Sequence, residues 1–493
     1  MSIKLSLERI RLLASHLPPY SRPTVHVAGT NGKGSVTCIL SSIFLASGLT
    51  VGRFNTPHLV SVQDSILVNE QSISLEEYTL SRAAIESADR EHGTEVTSFE
   101  MLTLVALQVF EKLRVDVVVV EVGMGGRLDA TNYIPDESIL LSALTTVDLD
   151  HQSFLGNTVE LIAKEKASIA RKNRPFVLGI QKYATVENVV RSVVEQTGAH
   201  FIATQSAQRR AWDDTIDGPL PPTFSLDADS FRPPPPQPIT FTSSVFPNSL
   251  YALLYLNGSH QVENLSLVLT IICTLISHPS CASRMPSGFS ERVLENIKTG
   301  IRSATWRGRL SFHRLTVSSP NPRAITVLVD GAHNRASSET LASYVSNLVT
   351  MLDGNPNVRI LRLSYILALS HSPPKTPKDT LSPLFASRSS TRLLIRTKVA
   401  AIRFTSPEGM PWVKSVLPSK IAATVRESVS GVGLWVASDE GKIQGQLESA
   451  LEWAIAEGTE REDGVQELVI VAGSLYLVAD FYRLLAKQEA NPV

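Results

Sequence analysis

Residues 26–36 read HVAGTNGKGSV, from His26 to Val36. An apolar, β-rich run, Thr24–Ala28, leads into this segment, and a stretch with helical apolar spacing, Ser35–Ala46, leads out of it. Strand, glycine-rich loop and helix start in that order make a cradle for phosphate. Gly29, Gly32 and Gly34 let the backbone curl so that N–H groups, including those of Thr30 and Asn31, turn inward. The helix N-terminus adds the positive end of its dipole. Lys33 brings a full charge for the outer phosphates, and Ser35 offers a hydroxyl to a magnesium ion. The strict G-x-x-x-x-G-K-[ST] pattern is not met, because Val27 occupies the first glycine position and Gly34 separates Lys33 from Ser35. An ordinary glycine-rich turn is the plainer alternative.

Outward from this loop, strand and helix patterns alternate. Val51–Asn55 reads as a strand, 74–90 and 99–113 as helices, 139–147 as a strand, 159–170 as a helix and 176–180 as a strand. The run VDVVVVEVG (115–123) lacks polar alternation and reads as a central parallel strand buried on both faces. Such alternation predicts an α/β fold with a parallel sheet wrapped by helices. Helix patterns return at 264–276 and 289–301, and a second strand–helix series begins after Trp306, with strands at 325–329, 359–368, 399–404 and 468–472. The predicted domains are therefore 1–305, carrying the phosphate loop, and a smaller α/β, Rossmann-like domain, 306–493. Two segments break the pattern. The stretch 205–245 holds GPLPP and PPPPQP and reads as a loop, partly polyproline II or disordered. A polar insertion follows at about 370–390, opening with SHSPPKTPKDT.

The chain has 493 residues, 43% apolar and 19% charged, which suits a water-soluble globular protein of two domains. A net charge of -1 gives no reason to expect a nucleic-acid partner. The three cysteines form no CxxC pair, as in a reduced chain without a disulfide framework. No apolar run is read as long enough for a membrane span. The N-terminus shows no signal-peptide core, and its weakly basic, amphipathic first turns leave a transit peptide as the alternative to a cytoplasmic first helix.

A second cluster begins at EVGMGGRLDATN (121–132). Glu121 is an acid at the end of an apolar strand, where an unpaired carboxylate is costly unless a cation compensates. Magnesium held by one or two carboxylates and by nucleotide phosphate is the natural partner; a carboxylate capping backbone N–H groups is the plainer reading. Arg127 and Asp129 could order the following loop through a salt bridge. TTVDLDH (145–151) puts His151 at the end of another strand, and ligands of open α/β sheets sit at such ends. The helix after Asn157-Thr158-Val159-Glu160, a candidate capping box, carries an apolar stripe on which Lys166 falls and Lys164 does not. An amine held among apolar groups has its pKa pushed down and can take up CO₂ as a carbamate; a lysine snorkelling to solvent is the alternative.

Together these motifs resemble the folylpolyglutamate synthase and dihydrofolate synthase family, relatives of the Mur ligases. HVAGTNGKGSV is similar to that family's phosphate loop, and the likeness continues in order over most of the chain outside the two insertions. KEKASI (164–169) resembles its E-K-A-G-I motif, with Ser168 for glycine, which implies a carbamylated Lys166 on the metal side. His151 resembles a ligand of the second magnesium. FNTPHL (54–59) resembles F-[ST]-S-P-H-L, which implies that Thr56, Pro57 and His58 help form the pterin and glutamate sites. LNGSHQVENLSLVL resembles a helix in which Asn264 matches an adenine contact. TWRGRL resembles T-W-P-G-R-L, making Arg309 a phosphate contact, and DGAHN makes Asp330 and His333 contacts of the ribose and phosphate. GSLYLVAD places Ser474 on the glutamate side, and SFEMLT gives Glu100 a structural or substrate-side role.

The resemblance implies a P-loop ATPase domain followed by a smaller ligase domain. The reaction implied joins L-glutamate to dihydropteroate through an acyl phosphate, using ATP and two Mg²⁺ ions, with room for a monovalent cation. Lys33, Lys166 and His333 are the catalytic candidates; Ser35, Glu121, His151 and Lys166 are the metal candidates. The expected protein is a cytoplasmic monomer acting on small molecules, with neither nucleic acid nor membrane as partner. Polyglutamate extension is the alternative, alone or as a second activity. Asn31, Arg127 and Ser65 argue for the first reading: eukaryotic polyglutamate synthases usually carry lysine at the first place and lack arginine at the second, and the family's chain extenders have at the third an arginine that resembles a holder of a glutamate carboxylate. Length and insertions resemble the fungal members most. A binding-only P-loop regulator is the rival from another class.

Overall fold

The computed structural model describes residues 6–317, 322–371, 375–385, 392–408, 410, 412–456 and 463–490. The chain forms two compact units, Met1–Gly218 with Gln237–Trp306, and Pro219–Pro236 with Arg307–Val493.

The first unit is built on an eight-stranded sheet: β1 (Thr24–Ala28), β2 (Val51–Phe54), β3 (Ile66–Val68), β4 (Gln71–Ser72), β5 (Val117–Glu121), β6 (Ile139–Leu144), β7 (Pro175–Leu178) and β8 (His200–Ala203), in the order β4-β3-β2-β5-β1-β6-β7-β8. Strands β2, β5, β1, β6, β7 and β8 run parallel, and β3 and β4 form an antiparallel hairpin at one edge. The valine run owes its composition to burial on both faces. Val117 and Val119 enter the core shared with the helices Lys33–Ala46 and His260–Ser277. Val118 and Val120 enter the opposite core, with Met101, Val105 and Val109 of the helix Ser98–Lys112. β1 lies between β5, reached by a crossover on one side, and β6 on the other. Chain direction therefore reverses its progress across the sheet at β1, and the carboxyl ends there are where doubly wound sheets take ligands.

The helix His260–Ser277 corrects one expectation. It is long and apolar enough, by length and composition, to match a membrane span, and 78% of it is buried inside the fold. Its apolar surface is spent on packing: Leu265, Val268, Leu269, Ile272 and Leu275 all lie in the first core.

The proline-rich stretch is also more ordered than its composition suggests. β9 (Gln208–Arg209), β10 (Gln237–Phe241) and β11 (Leu250–Leu254) make a small antiparallel sheet whose Ile239, Phe241, Leu250 and Leu254 join the first core. Residues 219–236 belong to the second unit, not to a loop of the first. Phe224 and Leu226 are buried in its core; Leu226 N–H donates to Gln466 Oε1 (3.0 Å), and Thr326 Oγ1 donates to the Leu226 carbonyl (2.7 Å). Most of the prolines that flank these anchors stay at the surface, and Pro234 is buried.

The second unit holds a six-stranded sheet, β12 (Ser311–Val317), β13 (Arg323–Val329), β14 (Ile360–Leu367), β15 (Leu394–Ala401), β16 (Gly433–Val436) and β17 (Val465–Ala472), in the order β12-β13-β17-β14-β15-β16. All neighbours are parallel except β12 with β13. The second insertion is partly helical. Thr376 and Asp379 form a capping box for the helix Pro377–Leu381, and Leu381 and Leu384 are fully buried. Residues 372–374 and 386–391 of that insertion lie outside the described residues.

Candidate active site

The phosphate loop leaves β1 at Ala28 and enters the helix Lys33–Ala46 through Gly32. Gly32 sits at φ 92°, and a Cβ there would lie 2.4 Å from Asn264 Oδ1, so glycine is required. Gly29 is excluded from substitution by closeness: a Cβ would lie 1.7 Å from Thr145 Oγ1. The helix start has no side-chain cap, which leaves its first amides for an anion. Thr30 and Asn31 do otherwise than expected. Their amides both donate to the Thr146 carbonyl (2.9 and 3.3 Å), so they brace the loop against the segment after β6 and are turned away from a phosphate.

Two lysines converge on this loop. Lys33 Nζ donates to the carbonyls of Gly29 (3.1 Å) and Thr30 (3.3 Å), and Lys166 Nζ donates to the same Gly29 carbonyl (2.9 Å). Lys166 is buried, at 4% exposure, as its place on the apolar stripe predicts. Its helix, Val159–Ala167, is capped by Thr158, which accepts from Leu161 N–H, without the expected capping box. Burial first, and then the neighbouring Lys33 charge, push the Lys166 ammonium down to about 7. Asp150, Asp129 and Glu121 act in the opposite direction.

Glu121 ends β5 and is buried at 6% exposure. Its Oε1 lies 3.6 Å from Lys33 Nζ, and its Oε2 accepts from Asn55 Nδ2 (2.6 Å). Ser35 is buried, and its hydroxyl accepts from Gln261 Nε2 (3.1 Å). Among the described residues no three His, Cys, Asp or Glu side chains group at metal-ligand spacing. A single buried carboxylate and a single buried loop hydroxyl fit a magnesium-type cation completed by nucleotide phosphate and water better than a cage made by protein alone. His151 stands exposed at φ 50°, at the start of the short helix Gln152–Leu155, and its N–H donates to Asp150 Oδ1 (3.0 Å).

The loop after Glu121 is ordered from beneath. Asp129 accepts from Met124 N–H (2.8 Å), Thr131 N–H (3.0 Å) and the Thr131 hydroxyl (2.6 Å). His26 Nε2 completes this chain on Thr131 Oγ1 (2.8 Å), and burial holds the imidazole well below its usual pKa. The expected Arg127–Asp129 bridge is replaced: Arg127 pairs with Glu165 (3.0 Å), because Asp129 is already engaged below the loop. Glu100 is structural, closing a capping box with Thr97 and pairing with Arg9 (3.1 Å).

In the segment FNTPHL, Pro57 is exposed, His58 is buried, and the Thr56 hydroxyl is enclosed without a hydrogen-bond partner among the described residues. Ser65 is fully buried, and its hydroxyl is likewise unpartnered. Its position is thus interior in this chain and offers no open surface from which a longer side chain could reach a substrate. Asn264 is buried, and its Nδ2 donates to Gln261 Oε1 (2.9 Å).

In the second unit, Asp330 follows β13. Its two carboxylate oxygens accept from Leu310 N–H (2.9 Å) and Ala332 N–H (2.8 Å), and burial raises its pKa against the pull of Arg309. Arg309 Nη1 donates to the Gly308 carbonyl (3.0 Å), and His333 Nδ1 donates to the Gly331 carbonyl (2.8 Å). Ser474 follows β17 at 1% exposure. Its hydroxyl accepts from Tyr476 N–H (3.2 Å) and is bonded to Ser370 Oγ (3.1 Å), so it serves the start of the helix Leu475–Ala490 and not an open surface. Asn55, Thr37 and Gln261 were not anticipated. The only signal for Asn55 was a polar residue following a strand inside FNTPHL.

Residues 313–484 match the family model for the C-terminal domain of dihydrofolate synthetase. Over 98% of both chains, the sequence is 31% identical to the dihydrofolate synthetase of Saccharomyces cerevisiae. The chain belongs to the dihydrofolate synthetase family. Solved structures of relatives agree with this. Escherichia coli FolC in complex with DHPP and ADP superposes with a TM-score of 0.69 at 25% identity, covering 99% of this chain and 95% of that one. A bifunctional folylpolyglutamate synthase/dihydrofolate synthase with Mn, AMPPNP and L-glutamate bound gives 0.67 at 25% identity, covering 98% and 95%. The family's α/β fold, a parallel-sheet nucleotide unit followed by a second parallel-sheet unit, is the fold found here.

Proposed function

We propose that this chain is an ATP-dependent ligase that joins the amino group of L-glutamate to the carboxylate of 7,8-dihydropteroate, giving dihydrofolate. The observation that carries this reading is the convergence of Lys33 and Lys166 on one phosphate-loop carbonyl beside the buried Glu121. Two lysines brought to one loop carbonyl at an uncapped helix start suit a polyphosphate. A substrate carboxylate oxygen attacks the γ-phosphorus of ATP, the bond to the bridging oxygen breaks, and ADP leaves. The glutamate amine then attacks the acyl carbon, inorganic phosphate leaves, and the amine proton is released. Lys33 stabilises charge on the transferring phosphoryl group, and the loop fixes its position.

Ser35 and Glu121 would hold a divalent cation, and His151 with the Lys166 side would hold a second; a monovalent cation belongs to the same reading. Such cations, when bound, neutralise phosphate charge. Lys166, whose pKa of about 7 makes the neutral amine available, takes up CO₂: an N–C bond forms and a proton leaves. Asn264 serves the adenine, Arg309, Asp330 and His333 the phosphate and ribose, and Thr56, Pro57 and His58 the pterin side. The enclosed Ser474 supports the glutamate side through Ser370. The enzyme acts as a cytoplasmic monomer on small molecules, without nucleic acid or membrane.

Side-by-side product analysis with dihydropteroate and with tetrahydrofolate tests this reading. ADP release that requires both dihydropteroate and glutamate is expected; release with ATP alone would favour a binding-only regulator with residual turnover. Comparable kcat/KM for the two acceptors would promote polyglutamate extension, which the bifunctional name of the relative bound to Mn, AMPPNP and L-glutamate also favours.

A further inference from the structure

Arg53 lies in β2 with its guanidinium almost wholly buried, at 4% exposure, although nothing in the proposed chemistry uses it. It makes a two-pronged contact with Glu70, Nε to Oε1 (3.0 Å) and Nη2 to Oε2 (2.6 Å). Glu70 also accepts from Ser41 of the helix that starts at Lys33. The carboxylate comes from an unusual place. Asn69 and Glu70 are the two central residues of the hairpin joining β3 to β4, at φ 52° and 64°. A turn with both central residues left-handed favours glycine at its second position, and a glutamate there is strained. That strain is sustained at a residue whose side chain meets a buried arginine, which points to a requirement for the pair.

Arg53 has a third contact. Nη1 donates to Asn55 Oδ1 (2.8 Å), which leaves Asn55 Nδ2 to donate to Glu121 Oε2 (2.6 Å) and to Thr37 Oγ1 (2.8 Å). Thr37 spends its own proton on the Gly34 carbonyl (3.0 Å), so it can only accept from Asn55. The amide therefore has one permitted orientation. Flipped, its oxygen would face a carboxylate and a hydroxyl with no proton to give. The remaining face of Arg53 lies 4.9 Å from the ring of Trp306, which also packs against Gly34, where a Cβ would be 2.5 Å from the indole.

We infer that Arg53 is a positioning residue: through the orientation of the Asn55 amide, which engages Oε2, it fixes the carboxylate of Glu121 that would hold a divalent cation. The inference rests on the cation-binding reading of Glu121 given above. It is tested by calorimetric titration of MnCl₂ into the full-length protein with AMPPNP, without acceptor, alongside thermal melting. Arg53→Met should weaken Mn²⁺ binding by about 10- to 100-fold, the scale of lost outer-shell support, and Arg53→Lys should not rescue it, because an ammonium lacks the planar fork. Arg53→Met also strands Glu70, so Arg53→Met with Glu70→Gln should regain melting temperature but not Mn²⁺ affinity. In an Asn55→Ala background, Arg53→Met should add less than about threefold, because the two act in series. Wild-type affinity in the Arg53→Met, Glu70→Gln protein, or effects of Arg53→Met and Asn55→Ala that multiply, would overturn the inference. If wild type binds no Mn²⁺ with AMPPNP, the inference falls with the cation reading of Glu121. If Arg53-dependent binding is seen but dihydropteroate supports no ADP release, only the substrate assignment falls.

Discussion

At the carboxyl edge of the first unit's sheet, Lys33 and Lys166 share one carbonyl, and Glu121 has a single amide and a lysine 3.6 Å away for company. At the corresponding edge of the second unit, Asp330 has an amide on each carboxylate oxygen, His333 is tied to its own loop, and Ser474 to Ser370 of the segment after β14. Both edges end parallel strands, and both bury charge. The first keeps like charges close and helix amides uncapped, an arrangement that costs stability until an anion arrives. The second satisfies its carboxylate internally, so Asp330, proposed above as a nucleotide contact, also holds a loop together. Charge removal should therefore cost function at the first edge and folding at the second.

The largest effect expected is from Lys33→Ala. ATP turnover should fall by about 10²–10³-fold, the scale of one lost charge-stabilising donor, while the melting temperature stays level or rises. Steady-state ADP release and a thermal melt check both halves. A large drop in melting temperature would make Lys33 a structural residue and erase the contrast between the edges.

Next comes new charge placed where the first unit has no partner for it. Ser65 is fully enclosed, and its hydroxyl has no hydrogen-bond partner among the described residues. Ser65→Arg should destabilise by about 3 kcal/mol or more, from overpacking and an unpaired buried charge. Urea unfolding measures it. A stable, folded Ser65→Arg protein with gained activity toward glutamate-bearing folates would show that the loop opens, and would restore the simple view that this position faces the substrate.

At the second edge, Asp330→Ala strands two buried N–H groups and should cost about 2–3 kcal/mol, with Asp330→Asn costing less because one acceptor survives. If Asp330→Ala melts like wild type while nucleotide binding is lost, the second edge works like the first.

How much of this was legible depended on how each residue announces its surroundings. The valine run of β5 declared its two buried faces through its lack of polar alternation, and Lys166 declared its burial by falling on an apolar stripe. Arg53 and Asn55 gave no such sign. A polar residue in or after a strand reads as exposed, and only the partners brought in by the hairpin, by the helix Lys33–Ala46 and by β5 make them interior. The loop expected across residues 219–236 fails for a related reason: proline frequency describes the backbone between anchors, and says nothing about where Phe224, Leu226 and Phe231 pack.

The smallest effect is a slope. Lys166 is buried, and burial together with Lys33 lowers its ammonium from 10.5 to about 7. Between those values the folded chain holds fewer protons than the unfolded chain, so stability rises with pH. The penalty for the buried charge is fully present below about pH 7 and fades as the pH approaches the unfolded value. Lys166→Met has no such group and should lack the slope. Its stability advantage over wild type should therefore be greatest near pH 6 and shrink by about 1 kcal/mol per pH unit between about pH 7 and pH 9. Urea unfolding in metal-free, bicarbonate-free buffer reads this difference, and added bicarbonate should flatten it, because a carbamylated amine no longer takes up the proton. Parallel stability curves for the two proteins would mean that Lys166 is solvated in the folded state. The first edge would then bury no unrelieved charge, and the contrast with Asp330, which is buried but fully bonded, would disappear.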